Sequence, residues 1–385
     1  MRRHKSNTYR FRIMNYLFYV CVIPARSLRI IGNSVQTVQR TVRDMKKEGW
    51  LKAGKSYEKR YIVLGKPISF FESYEEQYFD GYKSQHGRLR NRYYRKEQTS
   101  ENKQKFQRLL QLAESSVFLG ESGINVIPST KPCLQFVKRY WDEPTFYQSL
   151  EIKELMDADE SRATGSRSTG CICWNNEIST VFSLSDDIIK IGEITEKLHV
   201  ERLYSFFSKK VGEVKVEDAY LFTWKYNKVH EKLGLKNRFA SYFYLDDTYQ
   251  NYYLIPYTQE GKELLNLLYS PFAKEELRDM IIKQKWKTSG QEDIEIDGID
   301  ENGVLIFNYL IPNILRFKKF VSAAHRLTGK DFHVYCYDFQ EEAVKKELTS
   351  NMTYSVFRFE EVKELYEKRY ERRMMRAYGQ NEEMV

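Results

Sequence analysis

The sequence predicts an α/β chain of the α+β kind: a small N-terminal head of helices and a β-hairpin, then a larger mixed α/β sheet domain. Three observations predict it. Cations are concentrated in the first hundred residues. Between residues 8 and 64 the apolar residues switch from a helical period to a strand period. Beyond residue 120, short strand-like runs alternate with helix-like runs.

The head is justified element by element. Residues 8–21 (TYRFRIMNYLFYVC) carry Phe11, Met14, Tyr16, Leu17 and Phe18 as a helical apolar stripe. Pro24–Ile31 reads as a short helix, and Gly32-Asn33 as a turn. Ser34–Glu48 reads as a second helix whose Val35, Val38, Val42 and Met45 face inward. Its outward residues are Gln36, Thr37, Gln39, Arg40, Arg43 and Lys47, and Gly49 ends it. WLKAGKSYEKRYIVLG then makes a strand, a turn around Ala53–Tyr57 and a returning strand, with Lys52, Lys55, Lys59 and Arg60 on the hairpin. Residues 24–64 together read as a winged helix-turn-helix. Ser34, Gln36, Thr37, Gln39, Arg40, Arg43 and Lys47 suit the major groove of double-stranded DNA, and the hairpin cations suit the adjoining phosphates. A winged helix used for protein contacts is the competing reading.

The charge distribution favours the nucleic acid. The 385 residues carry 62 Lys+Arg and 53 Asp+Glu, a net of +9. Residues 1–100 hold 22 Lys/Arg and 8 Asp/Glu, so +14, which leaves −5 for the rest. Residues 65–100 read as a connector in which Arg88, Arg90 and Arg92 lead into Tyr93-Tyr94 and further cations, a pattern that suits phosphate contact with base stacking or, equally, a solvated linker. A helix over 101–120 turns Phe106, Leu109, Leu110 and Ala113 to one side, to pack on the head or to dimerise it.

In the body, Ala158–Thr169 reads as an exposed loop, and GCICW and ISTVFSL as a hairpin across Asn175–Glu177. Lys190–Val211 is expected to be helical with Ile191, Ile194, Leu198, Leu203 and Phe206/Phe207 inside. Ala219–Trp224 is an apolar strand and Tyr226–Leu233 a helix. Ser241–Leu245 and Tyr252–Pro256 read as strands joined by a turn at Asp246–Gln250. Helices follow at Gly261–Tyr269 and Glu275–Lys283, and a second hairpin pairs Glu295–Asp300 with Val304–Leu310. Helices at Ile314–Leu327 and Glu341–Leu348 alternate with strands at Phe332–Asp338 and Tyr354–Phe359. A charged helix, Glu360–Tyr378, closes the body. The expected domains are a head over 1–66, a basic connector and helix over 67–120, an α/β body over 121–378 and a tail over 379–385.

Several classes are disfavoured. No apolar run approaches the length of a membrane span, the nearest, Tyr16–Ala25, being interrupted by Pro24. The basic N-terminus lacks the apolar segment and cleavage site of a signal peptide. Five dispersed cysteines fit a reducing cytoplasm, and Cys171-Ile-Cys173 has no second pair at zinc spacing. GxxxxGK[ST], GxGxxG, HExxH and GxSxG are all absent, so no cofactor is expected.

The winged helix at 24–64, the stretch IEIDGIDENGVLIFNYLIPNILRFKKFVSAAHRL (294–327) and FHVYCYDFQEEAVKKEL (332–348) resemble the replication-relaxation family of mobile-element proteins in Gram-positive bacteria. The resemblance implies a degenerate restriction-nuclease-like α/β core, related to one class of conjugative relaxases. Such cores hold a divalent metal between an Asp on one strand and a Glu-x-Lys on the next. Here Asp297 and Asp300 sit on the first strand of the second hairpin, but VLIFNYL offers neither acid nor Lys. Glu295, Asp297 and Asp300 read most simply as a solvated strand edge and turn, and no metal ligands are assigned. The expected function is sequence-specific DNA binding in replication initiation, mobilisation or their control, within the cytoplasm and without intact nuclease chemistry. A nicking relaxase using the body and a winged-helix transcriptional regulator are the alternatives. Expected partners are duplex DNA, a second copy of the chain, and relaxase or replication proteins of the same element. The closing helix offers Lys363, Lys368, Arg369, Arg372 and Arg373 for a protein contact.

Overall fold

The computed structural model describes residues 8–56, 59–66, 100–156, 166–186, 193–235, 244–280, 295–327 and 329–382. The protein is a mixed α/β chain with sheets of both strand directions, consistent with α+β. It divides into two compact units. The first takes Met1–Ser185, Ile191–Glu217 and Tyr257–Lys262, and the second Asp186–Lys190, Asp218–Pro256 and Glu263–Val385. The first unit thus joins the head to part of what the sequence assigns to the body.

In the first unit, α1 (Tyr9–Val20) starts at Thr8, whose hydroxyl accepts from the Phe11 amide at 3.3 Å, and buries Ile13, Met14 and Tyr16 through Val20. The expected helix at Pro24–Ile31 is instead a strand residue pair, β1 (Ile23–Pro24), followed by a 3₁₀ helix, Ala25–Arg29. Pro24 keeps an extended ψ of 137° and lies at a sheet edge, where its missing N–H costs nothing. In α2 (Val35–Lys47) the Ser34 hydroxyl accepts from the Thr37 amide. Val38, Val42 and Met45 are buried, whereas Val35, expected inward, is 40% exposed because the first turn projects beyond the core. Gly49, at φ +73°, ends α2 as expected: the Trp50 amide reaches back to the Met45 carbonyl and the Gly49 amide to that of Lys46.

The hairpin pairs β2 (Leu51–Ser56) with β3 (Lys59–Leu64), and β1 joins on the far side of β3. Ala53–Ser56, expected as turn, is strand. Pairing continues because Gly54 leaves room for the Tyr61 ring, whose atoms lie 2.4 Å from where a Cβ would stand. From α3 (Ser100–Glu121), Phe106 meets the Tyr61 ring edge-on at 5.2 Å. Its later turns are buried on every side (Leu109, Leu110, Leu112, Ala113, Val117, Phe118, Leu119), not on the single stripe the sequence predicts. This apolar surface is thereby buried within the unit.

β4 (Trp141–Gln148), β5 (Gly170–Asn175) and β6 (Glu177–Ser185) form an antiparallel meander, and α4 (Ser149–Leu155) follows β4. The predicted turn between β5 and β6 holds, with Asn175 at φ +51°. Helix α5 (Glu193–Val211) packs Leu203, Phe206 and Phe207 on Trp141, Tyr147, Cys171 and Cys173. Ile194 and Leu198, expected inside, are 77% and 38% exposed. Polar residues take that face because they find partners there: His199 Nε2 lies 3.0 Å from Ser168 Oγ, and Ser166 donates to Glu196. Burial pushes the His199 pKa down to about 3, so its ring is neutral.

In the second unit β7 (Asp218–Thr223) and β10 (Asn251–Pro256) are parallel neighbours, and α6 (Tyr226–Lys232) follows β7. Of the expected strand Ser241–Leu245, only Tyr244–Leu245 is described as strand. Residues 241–243 lie outside the described residues, and β9 (Tyr244–Leu245) pairs in parallel with β8 (Gly234–Leu235). Helices α7 (Gln259–Leu268), whose residues up to Lys262 belong to the first unit, and α8 (Ala273–Asp279) come next in the chain. A further sheet has the order β11-β12-β13-β14: Gly298–Ile299, Leu305–Asn308, Phe332–Tyr337 and Met352–Phe357. Strands β12, β13 and β14 are parallel, joined through α9 (Ile314–Arg326) and α10 (Glu341–Lys345). The chain closes with α11 (Phe359–Glu382). Among the described residues no helix is long and apolar enough to cross a membrane.

Candidate nucleic-acid interface

The outer face of α2 is set by the burial of the inner one. With Val38, Val42 and Met45 inward, Gln36, Thr37, Gln39, Arg40, Arg43 and Lys47 are all exposed. Gln36, Arg40, Arg43 and Lys47 follow at offsets of four, three and four residues, so they fall within about 60° of one another around the axis. They form one straight stripe, while Thr37 and Gln39 flank it. Ser34, counted with the groove-facing residues, serves the helix itself, because its hydroxyl caps α2 and lies 2.8 Å from Thr37 Oγ1.

The hairpin adds a second cationic edge. Lys52, Lys55 and Arg60 are exposed and Lys59 is half-buried. The register sets Lys55 directly opposite Arg60. Like charges facing across a strand pair repel, so this arrangement is costly unless an anion sits nearby. Among the described residues Arg40, Arg43, Lys47, Lys52, Lys55 and Arg60 enter no ion pair, and their guanidinium and ammonium donors remain available. Arg88, Arg90 and Arg92 lie outside the described residues.

Two buried carboxylates from α3 tie together elements that precede α2. Glu114 accepts from Arg26 Nε at 2.7 Å and from the Ser185 hydroxyl at 3.1 Å. Burial raises its pKa, against the opposing pull of Arg26. Glu121 accepts from Arg12 through both oxygens, from the Tyr16 hydroxyl at 3.1 Å and from the Gly32 amide at 2.7 Å. These contacts span 71 to 109 residues. Sequence reading missed them because no local period marks a carboxylate that answers a distant arginine.

The other sequence candidates resolve into structural roles. Asp297 is not a solvated strand edge: its side chain is 6% exposed, one oxygen accepts from Arg316 at 3.0 Å and the other from the Asn308 amide at 2.8 Å. Glu295 accepts from the same guanidinium at 3.1 Å. Burial alone would lower the Arg316 pKa, but Asp297 and Glu295 raise it. Asp300 closes its turn, accepting from the Asn302 and Val304 amides. Among the described residues no three His, Cys, Asp or Glu side chains gather as a metal site. The Cys171 and Cys173 sulfurs are buried 3.8 Å apart. Near them, Lys131 donates to Glu151, the Tyr19 hydroxyl and the Phe146 carbonyl. Burial lowers the Lys131 pKa, and its partners exhaust its three protons. The α11 cations meet carboxylates of their own unit: Lys363 with Glu263, Arg369 with Glu276, and Arg373 with both Glu275 and Glu276.

No family model, curated relative or solved structure matches the chain.

Proposed function

We propose that the chain binds double-stranded DNA through its N-terminal segment, folded as a winged helix-turn-helix, with α2 as the reading helix and the β2–β3 hairpin as the wing. The single observation that carries this reading is the unpaired cationic surface: a Gln36–Arg40–Arg43–Lys47 stripe beside a hairpin where Lys55 opposes Arg60. Arg40 and Gln36 have the donors that read guanine and adenine edges, and Lys52, Lys55, Lys59 and Arg60 suit phosphates. The order α1, β1, 3₁₀ turn, α2, hairpin supports the reading, since it presents a capped helix beside an antiparallel strand pair.

Following the resemblance of 24–64, 294–327 and 332–348, the binding serves replication or mobilisation of a mobile element, without metal-dependent cleavage by Asp297 and Asp300. The decisive experiment incubates the full chain with supercoiled plasmid and with labelled duplexes, with and without Mg²⁺. A retarded complex without nicking is expected. Absence of any complex at low salt refutes DNA binding. Mg²⁺-dependent nicking that vanishes in Asp297→Ala with Asp300→Ala restores the relaxase.

A further inference from the structure

Gly32 turns the chain between the 3₁₀ helix and α2. Its φ is +66°, and a Cβ there would stand 2.1 Å from the Tyr9 ring. Two residues further on, Ser34 starts α2, so the angle at which α2 leaves the head depends on how the Gly32 peptide groups are held. Both are held by buried charged side chains from far along the chain. Glu121 Oε2 accepts the Gly32 amide at 2.7 Å, and Lys262 Nζ donates to the Gly32 carbonyl at 3.4 Å. Neither side chain is free to wander. Glu121 is fixed by Arg12 and Tyr16, and Gly120 gives the Tyr16 hydroxyl its room. Lys262 is 6% exposed and lies in the first turn of α7, where the Thr258 hydroxyl and carbonyl accept from the Gly261 and Lys262 amides. One residue before Thr258, Tyr257 is buried against Phe118 of α3, and its hydroxyl meets Ser183 and Ser115.

A buried ammonium is costly to maintain, and a methionine of similar length would fill the same space. Placing one of the Lys262 donors on this turn makes sense where the orientation of the turn matters. We propose that Lys262, together with Glu121, is a positioning residue for sequence reading: it fixes the Gly32 peptide and so aims the α2 stripe, without touching DNA itself. This rests on the DNA-binding reading. It predicts that loss of the clamp degrades discrimination between sequences and spares the phosphate-driven affinity for any duplex, because phosphate attraction tolerates a small change of angle that base-edge hydrogen bonds do not.

The test uses the full chain, the best 30-base-pair duplex selected from a random pool, and a scrambled duplex of the same composition. Lys262→Met is expected to lower the affinity ratio between the two by about tenfold. Affinity for the scrambled duplex and its salt dependence stay as in the wild type. Lys262→Arg, which restores a donor, keeps the ratio within about twofold. An unchanged ratio in Lys262→Met, or an equal fall on both duplexes, overturns the proposal. Amide hydrogen exchange of the free protein provides a readout independent of DNA and of Lys262→Met folding. Glu121→Asp, which withdraws the carboxylate by one methylene, is expected to speed exchange at Gly32 about tenfold and leave Val38 and Val42 unchanged. Unaltered Gly32 exchange overturns the clamp. If the wild type binds neither duplex, the DNA-binding reading fails and the positioning role with it, while the exchange result still reports whether the clamp exists.

Discussion

Helices α2 and α11 are both rich in cations, yet they use them in opposite ways. On α2, Arg40, Arg43 and Lys47 project from a capped helix and form no ion pair among the described residues. On α11, Lys363, Arg369 and Arg373 are answered by Glu263, Glu275 and Glu276, and the Arg373 guanidinium lies 3.8 Å from the Phe272 ring centroid. In sequence, both helices read as partner-facing. The difference is that the unit supplies counter-charges to these α11 cations and none, among the described residues, to those of α2. On α11, Lys363, Arg369 and Arg373 are ties within their own unit.

The salt response separates the two most strongly. If α2 and the wing contribute about six phosphate contacts, affinity for duplex DNA falls on the order of 10³-fold between 50 and 200 mM salt. Fluorescence anisotropy over that range checks it, and a flat response would falsify the assignment of the unpaired cations. Next in size is Asp297→Ala, which strips Arg316 and the Asn308 amide of a buried acceptor. It should lower unfolding stability by about 2–3 kcal/mol in urea titrations, with DNA binding unchanged below its transition. A neutral outcome would return Asp297 to the solvated edge that the sequence predicts.

Arg40→Ala follows. It should reduce preference for the selected site by about 1–3 kcal/mol if it meets a guanine, whereas Lys55→Ala should weaken all duplexes alike. Competition binding with matched and scrambled sites distinguishes them, and the reverse pattern would exchange the roles of helix and wing. The smallest effect belongs to α11. Arg373→Ala should cost less than about 1 kcal/mol of stability, since the pair is partly exposed, and should leave DNA affinity and its salt slope intact. A loss of DNA binding there would break the contrast between paired and unpaired cations.

The head was the most legible region. Its helix period, the Ser34 cap, the Gly49 stop and the cation positions are all local, and local rules fix them. The misreadings had tertiary causes. Val35 has the right angle to be buried but no core above the first turn. Ile194 and Leu198 have an apolar pattern, yet Ser166 and Ser168 draw Glu196 and His199 to the inner face. Tyr252–Pro256 is legible as a strand, but its parallel partner Asp218–Thr223, about thirty residues away, is not; alternation reveals a strand but not its partner.

By itself, the sequence determined the α+β class, the order of most elements and the concentration of positive charge in the first hundred residues. These follow from periodicity, capping chemistry and composition, which act over a few residues or over none in particular. Only the tertiary structure decided which charges are spent and which remain. Arg12 meets Glu121, Arg26 meets Glu114, Asp297 meets Arg316 and Lys262 meets Gly32 across separations of 19 to 230 residues. Coulomb attraction and desolvation depend on distance and burial in space, so no reading along the chain could have assigned those partners.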